Sequence, residues 1–221
     1  IYGLKMKNIK NIFFDFNGTI LDDLKLSYEL LLNLMDKQNL KHISLNEYRE
    51  VFGFPVKNYY EKLGFKFPGN SFHEASIYFI NEYKSRWKKE TELETNCRNI
   101  LNELKKDGYR LYILSASELS LLNEQLSFFK IKDFFDGISA SKDTHAKGKI
   151  DYGRDFIKAN NIDTSKSILL GDTIHDAEVA KALNMDFVLF TNGHNSKKIL
   201  SHIGPTVDNY VEFYKYIKKI G

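Results

Sequence analysis

Four short apolar runs, "NIFFDF", "YRLYILSAS", "SILLGDT" and "DFVLFTNG", constrain the fold of this chain more than any other feature. Each is a stretch of Ile, Leu, Val, Phe and Tyr that ends in small or polar residues, the pattern of strands buried on both faces of a parallel sheet. Helical patterns separate them. In "NCRNILNELKKDG", Cys97, Ile100, Leu101 and Leu104 fall on one helix face, and Gly108 stands where such a helix ends. "GRDFIKANN" and "HDAEVAKALNM" repeat the theme with smaller residues. Strand and helix in alternation predict an α/β domain, a doubly wound parallel sheet of Rossmann type. Ligands of such sheets sit beyond the carboxyl ends of the strands.

Between about Asp22 and Leu93 the alternation stops, and helix signals replace strands. "LKLSYELLLNLM" spaces Leu24, Tyr28, Leu31, Leu32 and Met35 along one face. "SLNE" from Ser44 and "SFHE" from Ser71 read as capping boxes that start helices, and Phe72, Phe79, Tyr83 and Trp87 form an aromatic stripe behind the second. The stripe is expected to be the core of a small helical bundle. Residues 22–93 are therefore expected to be an inserted all-helical domain, and residues 1–21 with 94–221 the α/β core.

A chain of 221 residues with 43% hydrophobic and 28% charged residues can bury a substantial core. The net charge of +3 is spread along the chain without a basic block, so neither nucleic acid nor a membrane is an expected partner. The Lys-rich end, "FYKYIKKIG", reads as the solvated face of a last helix. A single cysteine, Cys97, excludes an internal disulfide, and its place in an apolar helical pattern predicts burial. No apolar run has the length of a bilayer span and no signal-peptide cleavage site is apparent, so a cytoplasmic location is expected. The chain opens on Ile1, and Met6 is the expected natural start.

The strand ends deliver a particular set of polar residues. The first run ends in Asp15, the second in Ser115, and "GDTIHD" supplies Asp172 and Asp176, with Lys149 in between. Singly, each has a structural reading, as a turn, a loop start or a helix cap. Together, three carboxylates at one sheet edge repel one another unless a cation holds them. With oxygen ligands alone, the natural cation is magnesium.

In order and placement these motifs resemble those of the haloacid dehalogenase (HAD) superfamily, over nearly the whole chain. "DFNGT" is similar to the family's first motif, which implies Asp15 as nucleophile, with Gly18 and Thr19 beside the phosphate. "LYILSAS" resembles the second, implying Ser115 and Ala116 as phosphate-binding residues. The third motif's lysine matches Lys149 in "AKGKIDYG", with Lys147 close enough to leave the choice open. "GDTIHDAEVA" resembles the fourth, implying a magnesium site of Asp15, Asp172 and Asp176 with the backbone carbonyl of Asn17. The insertion resembles the helical cap of phosphoglycolate-phosphatase-like members. The resemblance implies a magnesium-dependent phosphatase that acts on a small phosphorylated metabolite through an aspartyl-phosphate.

Asn17 departs from the family pattern, which has a second Asp there that protonates the leaving oxygen and then activates water. An amide does neither, and such acid–base help typically contributes about 10²- to 10⁴-fold. Three readings stay open: a substrate whose leaving group needs no proton, such as an acyl phosphate or phenolic ester; a surrogate acid, His175 or His194; or an introduced substitution meant to trap a complex. A catalytically impaired or noncatalytic phosphometabolite-binding protein is thus the alternative to the phosphatase. Within "VFGFPVKNYY", Phe54 and Lys57 are candidate substrate contacts and Tyr59 a candidate core residue. Lys57 also invites comparison with phosphonate-cleaving relatives that use a cap lysine.

Overall fold

The computed structural model of the protein describes residues 8–141 and 148–221, so Met6 and Lys147 lie outside the described residues. The chain runs β1 (Asn11–Phe14), β2 (Leu21–Asp22), α1 (Leu24–Lys37), α2 (Leu45–Val51), α3 (Val56–Lys62), α4 (Ser71–Glu90) and β3 (Glu92–Leu93). It continues through α5 (Cys97–Lys106), β4 (Arg110–Glu118), α6 (Leu119–Phe128), β5 (Gly137–Ser141), α7 (Lys149–Ala159), β6 (Ser167–Gly171) and α8 (Ile174–Ala182). It ends with β7 (Asp186–Phe190), α9 (Lys197–Leu200), β8 (Thr206–Val207) and α10 (Tyr210–Ile220).

Six strands form one parallel sheet in the order β5-β4-β1-β6-β7-β8. β1 lies between β4 and β6 near the centre of the sheet and is buried along its whole length. Its side chains alternate with the period of the pleat. Ile12 and Phe14 join the layer of α5 and α10, whereas Phe13 joins the layer of α7 and α8. Burying each of these side chains contributes about 1.5–3 kcal/mol, so the loop that leaves β1 hangs from a firmly anchored strand.

The α5 face expected from sequence is the buried one, formed by Cys97, Ile100, Leu101 and Leu104. Its end is a left-handed turn: Gly108 has φ +85, Gly108 N–H donates to Lys105 O and Tyr109 N–H to Leu104 O. In α10, Tyr210, Phe213, Ile217 and Ile220 are buried while the lysines face outward. Two sheet strands, β5 and β8, were not expected. "GISAS" carries little β-propensity, and two-residue β8 carries no pattern at all.

α1 to α4 pack around a core of their own, with Leu31, Leu34, Met35, Tyr48, Tyr59, Tyr60 and Phe65 buried. The chain enters and leaves this segment through β2 and β3, which pair antiparallel at Leu21↔Leu93 and Asp22↔Glu92. Helix α1 buries a wider arc than its sequence stripe suggested, because Leu26 and Leu30 pack on Tyr83 and Trp87 of α4. The capping box at Ser44 forms, with Glu47 closing back on the Ser44 N–H. The one at Ser71 does not: Asn70 is the N-cap and Ser71 is already helical, because a turn from Pro68 O to Ser71 N–H starts the helix one residue early.

Candidate active site

Sheet order brings the polar strand ends together. Asp15 follows β1, Ser115 lies in the neighbouring β4, and Asp172 follows β6 on the other side. Two helix starts complete the set, with Lys149 as the first residue of α7 and Asp176 in the first turn of α8. Thr173 caps α8 by accepting from Asp176 N–H while Asp176 Oδ2 accepts from Thr173 N–H at 3.0 Å and from its hydroxyl at 2.6 Å. That capping box fixes one end of the Asp176 carboxylate and leaves Oδ1 for Lys149.

Lys149 Nζ donates to Asp15 Oδ1 at 2.5 Å and to Asp176 Oδ1 at 2.7 Å, and all three side chains are buried. Asp172 Oδ1 accepts from the Thr19 hydroxyl at 2.9 Å, and its Oδ2 from His194 N–H at 2.7 Å. Burial opposes the charge on Lys149, yet the two carboxylates outweigh it and raise its pKa, so the ammonium stays charged. Burial pushes Asp15 up to about 8, with Lys149 pulling it down and Asp176 and Asp172 adding to the rise. Asp172 is pushed up to about 6 by burial, against the attraction of His194. Asp176 sits below the usual carboxylate range, because the Lys149 contact overcomes the effect of burial.

Asp15, Asp172 and Asp176 each offer an oxygen within 4.8 Å of the others. One ammonium does not neutralise three carboxylates, and the all-oxygen donor set suits a hard divalent cation. The backbone crowds against this set. A Cβ on Gly18, which has φ +71, would fall 2.3 Å from Asp172 Oδ2, and one on Gly193 would fall 2.3 Å from the same oxygen and from Gly18 O. Only glycine lets these two loops approach the carboxylate.

Asn17 is partly exposed, and its amide is engaged on every side. Nδ2 donates to Asp23 Oδ2 at 2.7 Å and to the Tyr83 hydroxyl at 2.8 Å, while Oδ1 accepts from the Ser117 hydroxyl at 2.6 Å. Of the two histidines proposed as surrogates, His194 is buried in the same network. Its Nε2 lies 3.1 Å from Asp23 Oδ1 and its Nδ1 2.8 Å from the Tyr48 hydroxyl, with the Phe52 ring stacked on it. Asp23 outweighs the effect of burial and raises His194 to about 9, and His194 in turn holds the buried Asp23 below its ordinary value. His175 is half-buried in the first turn of α8, next to Asp176 in the chain, and packs against Glu178 and the Phe54 ring.

Phe54 thus reaches from the helical segment onto the "GDTIHD" loop and remains 43% exposed. Lys57 is exposed, with Nζ 3.9 Å from Glu61 one turn on, and Tyr59 is buried in the helical core. Ser115 is buried, its Oγ accepting from Ser117 N–H at 3.1 Å, and Ala116 is exposed beside it. Sequence reasoning missed Asp23, Ser117 and Arg49. The Arg49 guanidinium donates to Gly193 O at 2.9 Å and to Thr191 O at 2.5 Å, tying α2 to the loop after β7. Asp23 had one signal, an acid immediately behind the first motif in "ILDD"; Arg49 had none.

Residues 12–190 match the family described as Haloacid dehalogenase-like hydrolase. The chain is 27% identical over 176 residues to a Pyrophosphatase PpaX of Bacillus velezensis, covering 79% of this chain and 80% of that protein. It is 21% identical over 220 residues to a Phosphoglycolate phosphatase of Psychrobacter arcticus, covering 94% and 95%. Among solved structures, a haloacid dehalogenase-like family hydrolase from Streptococcus pneumoniae superposes with a TM-score of 0.81 at 22% identity, covering 96% of this chain and 100% of that one.

Proposed function

The chain belongs to the haloacid dehalogenase-like hydrolases, and from that premise we propose that it is a cytoplasmic, magnesium-dependent phosphatase of small phosphorylated metabolites. Residues 22–93 act as its cap. The observation that carries this reading is the Lys149 ammonium held at 2.5 and 2.7 Å between Asp15 and Asp176, with Asp172 completing the carboxylate set.

Asp15, Asp172 and Asp176 would hold magnesium, with the Asn17 carbonyl as a further ligand; when bound, the ion neutralises charge on the carboxylates and on the phosphoryl oxygens. Asp15 supplies the nucleophile. One of its carboxylate oxygens attacks phosphorus, the bond from phosphorus to the leaving oxygen breaks, and that oxygen departs with the bonding pair. Water then adds to the aspartyl-phosphate, which restores the carboxylate and releases inorganic phosphate. Lys149 and the Ser115 hydroxyl orient the transferred group and offset its charge, and the amides of the loop after Asp15 do the same. Thr19 and the His194 N–H hold Asp172 in position.

Asn17 has no proton of suitable acidity to give, and both its amide protons are committed to Asp23 and Tyr83. The substrate class that suits this site has a leaving group that departs unprotonated: a phosphoanhydride, an acyl phosphate or a phenolic ester. A relative named as a pyrophosphatase is in keeping with that class. Phe54, over the "GDTIHD" loop, is placed to contact the substrate's far end.

The test is magnesium-dependent phosphate release from pyrophosphate, acetyl phosphate and p-nitrophenyl phosphate, by this protein and by Asp15→Asn. Turnover that disappears in Asp15→Asn supports the reading. Tight, metal-dependent binding of these compounds with no turnover would instead make the protein a phosphometabolite-binding member of its family.

A further inference from the structure

Position 17 is surrounded by groups that want an amide. Nδ2 has two protons, and both are used, at 2.7 Å on Asp23 Oδ2 and 2.8 Å on the Tyr83 hydroxyl. The Tyr83 hydroxyl accepts that proton and gives its own to the same Asp23 oxygen at 2.8 Å. Asp23 Oδ1 accepts from Gly18 N–H at 3.0 Å and faces His194 Nε2 at 3.1 Å. Ser117 Oγ closes the circuit on Asn17 Oδ1. Every donor has an acceptor, and Asp23 and Tyr83 are both buried.

A carboxylate at 17 breaks this matching. It removes both donated protons, sets two carboxylates about where an amide and a carboxylate now meet, and leaves Tyr83 one proton for two anions. An amide at 23 alone fails for the converse reason, since the Nδ2 of Asn17 then faces an uncharged neighbour that offers fewer acceptor sites. Exchanging the two residues restores one carboxylate and one amide in contact.

The pair also spans the junction of the molecule's two parts. Asn17 lies two residues from Asp15, Asp23 stands at the entry to α1, and Tyr83 comes from the middle of α4. Around it, α4 is held to α6 and the end of β4 by Lys84–Glu118 at 2.7 Å, Lys88–Glu124 at 2.6 Å and the Trp87 ring on Phe128. Those contacts fasten α4 to the α/β core, whereas the Tyr83 hydroxyl fastens it to the loop that carries the nucleophile.

We propose that Asn17 and Asp23 form an exchanged amide–carboxylate pair which, through Tyr83, latches α4 onto the nucleophile loop, so that Asn17 is a positioning residue and not a vacated catalytic acid. The role in turnover rests on the phosphatase reading above; the latch itself does not.

The experiment is a double-mutant cycle of Asn17→Asp, Asp23→Asn and the exchange Asn17→Asp/Asp23→Asn, with Tyr83→Phe beside it. Melting temperature and hydrogen exchange over residues 18–23 and 83–94 are read without substrate, and kcat and KM on p-nitrophenyl phosphate with magnesium. Each single variant is expected to melt lower by about 5 °C, the size that losing a buried, coupled contact has in a chain this long. The exchange is expected to recover most of that loss, and Tyr83→Phe, which keeps the ring packing, to raise hydrogen exchange in both segments. In the kinetics, the single variants are expected to lose at least about 10-fold in kcat/KM and the exchange to regain it.

If Asn17→Asp alone melts like the parent and gains activity, position 17 is a vacated acid and the latch is wrong. If the exchange merely adds the two single losses, the pair is not coupled and the proposal falls. Should no variant turn over p-nitrophenyl phosphate, the phosphatase reading is what has failed, and the melting and exchange data still decide the latch.

Discussion

Oδ1 of Asp15 lies 2.5 Å from Nζ of Lys149, and the same ammonium bridges to Asp176 at 2.7 Å. Asp15, the proposed nucleophile, is thus held through one oxygen by a cation that is part of the protein. Removing one partner of such a buried arrangement costs more than the contact contributes, since the charges left behind are uncompensated.

Lys149→Met should therefore melt well below the parent in the absence of metal, by the equivalent of about 3–5 kcal/mol. Saturating magnesium should narrow that gap, because an added cation neutralises the same carboxylates. Activity should fall by at least about 10²-fold, since magnesium would not replace the contact proposed between Lys149 and the phosphoryl group. Thermal melting with and without magnesium checks the first point and phosphate release the second. An equal gap in both melts would place Lys149 outside the charge balance of the site.

Magnesium binding should strengthen as pH rises. Burial raises Asp15 to about 8 and Asp172 to about 6, both above their unfolded value of 3.8, so at these two groups the metal-free folded protein binds more protons than the unfolded chain between about pH 4 and 8. Their contribution to stability accordingly falls as pH rises through that window. The metal binds the deprotonated carboxylates and opposes the fall, so the melting-point increment from magnesium should be larger at pH 8 than at pH 5. Melts at the two values, with and without the ion, measure it. An increment that shrinks with pH contradicts the assignment.

Leaving-group dependence follows from the engaged amide at 17. p-Nitrophenyl phosphate and pyrophosphate should be turned over about 10²- to 10⁴-fold faster than a simple alkyl phosphate, the range that a missing general acid typically costs. Initial rates under saturating magnesium decide this. Comparable rates on all three would mean that another group, His175 or His194, protonates the leaving oxygen.

Two glycines should respond in opposite degree. Gly193→Ala drives a methyl to 2.3 Å from Asp172 Oδ2 and Gly18 O, with backbone on one side and a carboxylate of the proposed metal site on the other. Overpacking of that kind costs about 1–3 kcal/mol, and here it should also abolish the magnesium-induced rise in melting temperature. Gly69→Ala meets nothing within 4 Å and bears only the strain of φ +58. It should melt about 1–2 kcal/mol lower and keep the full magnesium response. A normal magnesium response in Gly193→Ala would mean that Asp172 is not a ligand.

The pattern of apolar runs was enough to place β1, β4, β6 and β7, because strands buried on both faces must be apolar throughout. The same logic located Asp15, Ser115 and Asp172, since each stands where a buried strand ends or turns polar. Edge strands escape this logic. β5 reads "GISAS" and β8 is two residues long, and both are strands only because a neighbour supplies the ladder. The Ser71 box failed for a local reason, a turn that started the helix one residue early.

The sequence by itself determined the sheet's central strands, the segment set between them and the carboxylates and lysine of the site, because local apolar periodicity and strand ends are written in consecutive residues. Only the tertiary structure decided what Asn17 touches. Asp23, Tyr83 and Ser117 lie 6, 66 and 100 positions from it in the chain, and His194 is 171 positions from Asp23. Such matching of donors to acceptors has no period in sequence; it exists once packing has brought α4, β4 and the loop after β7 around a single amide.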